Sequence, residues 1–167
     1  MKKLATRTAQ WPLAADFNFA FNEWAVDMID GSSKTFGSTL AASTDPAQAG
    51  LTGPVANTGL VVSAIPMPVG AVITGGEVIV DTAYVGTTAA TVSVGITGSA
   101  TALASAVNAM AAAGTRTALT MTAPLLCNAG QNIIVTLAYT VANATAGKVR
   151  VRVQYTVDGR TSEVVIV

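Results

Sequence analysis

The chain has 167 residues, 51% of them hydrophobic and only 11% charged, with nine basic and nine acidic side chains and zero net charge. That length supports one substantial domain with its own core, while the charge balance removes the overall basicity of a nucleic-acid binder and any general attraction to an anionic membrane. The charged fraction falls well short of the roughly one quarter found in soluble domains, and no apolar run reaches the roughly 18 residues of a spanning helix.

Residues 1–16 read as an extended N-terminal arm, poor in large apolar side chains, with Trp11-Pro12 as an anchor. Met1-Lys2-Lys3-Leu4 has the charge of a signal peptide, but Ala5 to Gln10 supplies no apolar h-region, so export is not expected. The rest, 17–167, reads as a single β domain. It opens with period-two alternation, Phe17, Phe19 and Phe21 on one face and Asn18, Ala20 and Asn22 on the other, the pattern of a half-buried strand. Asp30-Gly31-Ser32-Ser33 ends this region as a turn. Residues 41–58, rich in Ala, Ser, Thr, Gly and Pro without periodicity, read as a long loop.

Strand signals then crowd together: Leu60–Ile65, stopped by Pro66 and Pro68; Ala71–Ala83; Thr91–Ile96; Thr115–Thr122; Asn132–Thr140; Lys148–Val157; and Glu163–Val167. Gly75-Gly76 falls inside the second of these, and a bulge in one long strand is favoured over a hairpin turn. Leu103–Ala113 divides evenly between a short helix, with Leu103, Val107 and Met110 at i, i+4 and i+7, and an irregular strand with a turn. Asp158-Gly159 is a type I′ turn dipeptide between β-rich runs. Upstream of it Val149, Val151, Val153, Tyr155 and Val157 point one way; Lys148, Arg150 and Arg152 point the other, so a one-residue slip would bury three cations. The fold class is all-β, a jelly roll or related β-sandwich.

Candidates for chemistry are few. The absence of histidine removes Ser-His-Asp and Cys-His sites and His-ligated metals, and a lone Cys127 removes thiolate zinc and iron–sulfur sites. A single thiol also suits a reducing cytoplasm. Catalytic, cofactor and metal residues are therefore expected to be none, and an enzyme is not expected. The early carboxylates Asp16, Glu23, Asp27 and Asp30 match no calcium-loop spacing and read as a solvated edge and turn. Lys148, Arg150 and Arg152 form the one polar row with shape. They read as a solvated outer face with edge protection or, less favoured, as a contact for an acidic surface such as the N-terminal part of a neighbouring subunit. No aromatic platform accompanies them, so nucleic acid is not expected. Arg116 is the sole charge between Thr82 and Gly147, which points to a surface of small polar groups packed in part against neighbours.

Ile65-Pro66-Met67-Pro68-Val69-Gly70-Ala71-Val72-Ile73-Thr74-Gly75-Gly76, continuing through Glu77–Ala83 and Ala90–Gly95, then Ala113–Thr120, Ala146–Val151 and Tyr155–Arg160, resembles the head decoration, or cement, proteins of tailed bacteriophages. The resemblance spans about residues 60–162 and rests on turn-and-strand phrases. It implies a β-sandwich on the capsid exterior, often trimeric, assembled in the host cytoplasm and bound to the major capsid protein. On that reading Trp11 or Trp24, with Phe17, Phe19 and Phe21, would anchor contacts. A different virion β-protein (tail, fibre or shell) and a carbohydrate-binding module are the alternatives; fibre repeats and clustered exposed aromatics are both missing from the sequence.

Overall fold

The computed structural model describes residues 12–29, 31–37, 60–121, 123–140 and 143–157. Eleven strands run through them: β1 Leu13–Ala20, β2 Trp24–Val26, β3 Ser33–Thr35, β4 Leu60–Pro66, β5 Ala71–Val85, β6 Ala89–Ile96, β7 Ser99–Asn108, β8 Arg116–Ala118, β9 Leu125–Leu126, β10 Asn132–Thr140 and β11 Ala146–Val157. One sheet has the order β1-β11-β5-β8, with β9 also on β5; the other is β4-β10-β6-β7; β2 and β3 form a separate hairpin. Every pairing is antiparallel.

Leaving aside the hairpin and the two-residue β9, among the described residues the first strand pairs with the last (β1·β11). The second then pairs with the second-last (β4·β10), the third with the third-last (β5·β8) and the fourth with the fifth (β6·β7). A long hairpin rolled so that its two arms contribute alternately to two sheets is the jelly roll. The sheets pack on one core. Phe19, Ile73, Val78, Val149, Val151 and Val153 from the first meet Leu60, Val62, Val92, Val94, Ile133, Val135 and Leu137 from the second.

The period-two reading of β11 holds: Val149, Val151 and Val153 are wholly buried, while Lys148, Arg150 and Arg152 lie on the opposite face. Gly75 and Gly76 sit inside one continuous β5, and the register slips where Gln154 opposes Gly75 but Tyr155 opposes Ile73. Thr74 is the extra residue, so the inward positions change parity from Ala71 and Ile73 to Val78. This is the bulge, and the hairpin-turn alternative does not occur.

Of the two readings for Leu103–Ala113, the helix is not what forms. Ser99–Asn108 is strand β7, paired with β6, and a turn follows at Ala109–Met110. Alanine's advantage in a helix is under ~1 kcal/mol per residue over ordinary residues. Burying Leu103, Ala104 and Ala109 while completing the β6 ladder outweighs it. The strand is irregular, with Ala106 at φ 50° and its N–H donated to Ser93 Oγ at 3.0 Å.

The first strand begins at Leu13, before the expected end of the arm, because Leu13 to Asp16 pair with Tyr155 to Arg152. Trp11 and the remainder of the arm, the 41–58 loop, the Asp158-Gly159 turn and Glu163–Val167 lie outside the described residues.

Candidate interaction surface

The alternation of β1 turns Phe17 and Phe19 toward the gap between the sheets, where Phe36 meets them from just beyond β3. The Phe19 and Phe36 rings stack with centroids 4.5 Å apart, and Phe17 lies 5.7 Å from Phe19 and 6.4 Å from Phe36. Phe19 is 0% exposed, so this interface candidate is instead a core residue, closed over by Phe36 from the far side of the β2–β3 hairpin. Phe17 and Phe21 are half-buried against the same core. Trp24, by contrast, is 60% exposed on β2.

The β2–β3 hairpin that carries Trp24 is fastened from within. Lys34 Nζ donates to Asp27 Oδ2, and both residues are buried. The other oxygen of that carboxylate, Oδ1, accepts the Ile29 N–H at 3.0 Å, and the Gly31 N–H reaches the Asp27 carbonyl at 2.9 Å. Met28 N–H donates to the Val61 carbonyl at 2.8 Å, tying the turn to β4. Asp27 is thus a structural carboxylate rather than a solvated edge. The turn it shapes presents Val26, Met28 and Ile29 to solvent beside Trp24. Sequence reasoning passed over these three; the signal was the alternation Trp24, Val26, Met28 running into a turn with no apolar partner nearby. Next to the hairpin a groove of about 420 Å³ opens between β1 and β4, lined in part by Phe17, Ala25, Phe36 and Val62, with Trp24 and Glu23 also bordering it.

The basic row is engaged by the chain's own acids. Arg152 grips Asp16 of β1 with two hydrogen bonds, Nε to Oδ1 at 2.9 Å and Nη2 to Oδ2 at 3.1 Å. Its Nη1 lies 3.8 Å from Glu77 Oε1 on β5, and that same oxygen accepts from Arg116 Nη1 of β8 at 2.7 Å. Arg150 reaches Asp81 of β5 at 2.8 Å. Signs alternate across four strands. The hydrogen bonds from Arg152 hold the Asp16 carboxyl below its ordinary range, against a smaller opposing effect of burial. Asp16, one of the acidic residues of the N-terminal part, is therefore paired with this row within its own chain. Each exposed pair contributes little because solvent screens it, but together they favour this register on a solvated face. Lys148 has no ion pair among the described residues.

The two sheets differ sharply in charge. Asp16, Glu77, Asp81, Arg116, Lys148, Arg150 and Arg152 all belong to the β1-β11-β5-β8 sheet, whereas β4, β6, β7 and β10 carry no charged residue. The charge-empty stretch seen in the sequence is largely this second sheet. Its outward positions include Ser63, Thr91, Ser93, Thr136 and Ala138, with Val61 and Ile134 as larger apolar members.

No protein-family model matches the chain. No curated protein matches it either. Among solved structures it is similar to a chain described as "Cyanophage Pam1 capsid asymmetric unit", with a TM-score of 0.51 and 20% identity over 92% of each chain. At that identity the likeness is one of fold.

Proposed function

We propose that the chain is a non-enzymatic structural protein of a phage virion, and that it decorates the outside of the head as a cement protein bound to the major capsid protein. The observation that carries the reading is a jelly roll shared, over nearly the whole of both chains, with a component of a cyanophage capsid asymmetric unit. The surface supports it. A sheet whose described strands carry no charge is cheap to bury against protein, and an exposed apolar turn is costly to leave in water. A protein that binds the assembled shell and not its separated subunits stabilises the shell by mass action, by about 2.7 kcal/mol per site at a hundredfold excess over Kd. Trimers at the shell surface are the assembly the family resemblance implies.

Quantifying the chain in purified particles, by copy number and by antibody labelling of intact heads, tests the reading. A copy number locked to that of the capsid protein, with label on the exterior, is expected; absence from washed particles would sink it. A second virion role, as part of the shell wall, draws on the same likeness, because the solved structure is described as a whole asymmetric unit. Antibody that reaches the chain only in broken heads would favour it.

A further inference from the structure

Four strand edges bound the two sheets, and three of them are blunted. The β7 edge carries the irregular Ala106, and its Leu103 carbonyl is taken by the Thr120 N–H at 2.7 Å. The β4 edge gives its Val61 carbonyl to Met28. On the remaining side of the charged sheet β8 and β9 are three and two residues long. The fourth edge is β1. It is eight residues long, keeps an unbroken register with β11, and contains no proline, lysine or bulge; only its last residue, Ala20, is closed, giving its N–H to Glu23 Oε2 at 2.9 Å and accepting the Glu23 N–H at 3.0 Å. Its one carboxylate, Asp16, is held by Arg152. Among the described residues no strand pairs with its outer side. Proteins ordinarily protect such an edge, because its free N–H and C=O groups accept another strand. Beside it lies the groove bordered by Phe17, Phe36 and Val62.

Beyond the described residues the sequence carries a further run rich in β-branched side chains. After Val157 come the turn dipeptide Asp158-Gly159 and then Arg160-Thr161-Ser162-Glu163-Val164-Val165-Ile166-Val167. A tight turn would send this segment back along β11. On one side, however, β11 is paired with β5 as far as Val157, and on the other with β1 from Tyr155 onward. Only Thr156 and Val157 remain open. To reach the outer edge of its own β1 the segment would have to cross two strand spacings, about 9.6 Å, around Pro12, and then run parallel in a sheet that is otherwise antiparallel. A neighbouring molecule can offer it antiparallel without that crossing.

We propose that residues 160–167 of a second copy of this chain add as a strand to the open edge of β1, with apolar side chains seated in the groove between β1 and β4. Main-chain hydrogen bonds supply the affinity and the groove supplies register, as in strand addition generally. The proposal is independent of the virion reading, since it concerns only contact between copies.

The test compares the full chain with one ended after Gly159, using light scattering for mass and amide exchange for β1. The full chain is expected to self-associate and the shortened one to lose that association. A synthetic peptide of residues 160–167 should bind the shortened chain and slow exchange of the outward β1 amides by about ten-fold or more, leaving β10 unchanged. Trp24→Ala, at an exposed position bordering the groove, should weaken the peptide without altering the melting temperature. A peptide that leaves β1 exchange unaltered overturns the proposal. So does a full chain that is monomeric yet protected along β1, because the segment would then be seated on its own molecule.

Discussion

Gly147→Ala probes a contact hidden in a single missing atom. Gly147 lies on β11 at φ 150°, where the register with β5 slips between Ala146 and Lys148. A Cβ there would stand 2.5 Å from Cγ and Cδ2 of Tyr84 and 2.7 Å from Cε2. Carbon atoms at rest are about 3.5–4.0 Å apart, so the ring would have to retreat by roughly 1 Å. Tyr84 is 0% exposed and among the largest fully buried side chains of the core, which leaves it nowhere to go. Overpacking of this kind costs ~1–3 kcal/mol, and forcing a non-glycine residue into that backbone region costs ~1–3 kcal/mol more. A central loss of about 4 kcal/mol corresponds, at ~2–4 °C per kcal/mol for a domain of this size, to a melting point lower by roughly 8–16 °C. Gly98→Ala is the control: φ is 90° and nothing lies within 4 Å, so only backbone strain applies. Differential scanning calorimetry of both variants, and of Gly147→Ala in a Tyr84→Ala background, separates the terms. The background substitution should remove most of the extra cost of Gly147→Ala. If Gly147→Ala melted with Gly98→Ala, the reasoning from ring contact would be wrong.

Asp16→Asn should destabilise at neutral pH and become indistinguishable from the parent in acid. The carboxyl is held below its ordinary value of 3.8, so its contribution is complete above that range and lost as pH falls through the folded-state value. Urea titrations from pH 6 to pH 2.5 would show the gap closing, and a widening gap would contradict the Arg152 contact. Lys34→Ala leaves Asp27 buried without that cation and should cost about 3–5 kcal/mol, with Lys34→Ala/Asp27→Ala recovering part of it. An unchanged denaturation midpoint for the single variant would mean that water reaches the pair. Burial raises the Cys127 thiol above its ordinary range, so labelling by iodoacetamide should be slow in the native protein and accelerate once it unfolds. Rapid native labelling would mean that the site opens.

What could be read in advance was whatever a period of two makes visible. In β11 the valines and cations alternate, and inside and outside follow directly. The bulge at Gly75-Gly76 was legible because two glycines interrupt an otherwise continuous β-branched run. Leu103–Ala113 was not, because alanine fits both states locally and only pairing with β6 decides. Phe19 looked like its neighbours in sequence, yet Phe36 covers it and nothing comparable among the described residues covers Trp24. The partner of Arg152 was equally hidden: Asp16 lies 136 residues away, and only the closing of β1 on β11 brings them together. The apolar turn at Met28 and Ile29 depends on a buried Lys34–Asp27 pair that charge counting treats as surface.

The nested pairing of first strand with last also sets an order of events in time. Leu13–Ala20 can pair with Ala146–Val157 only once that later strand has been made, so on the ribosome β1 waits without this partner while the strands between them emerge. Within the nested set the pairing with the shortest connection is the innermost one, β6 with β7, separated by a two-residue turn at Thr97-Gly98. Contacts so distant along the chain make folding slow, on the millisecond-to-second scale typical of all-β topologies. The polypeptide must pass through that interval with apolar edges uncovered.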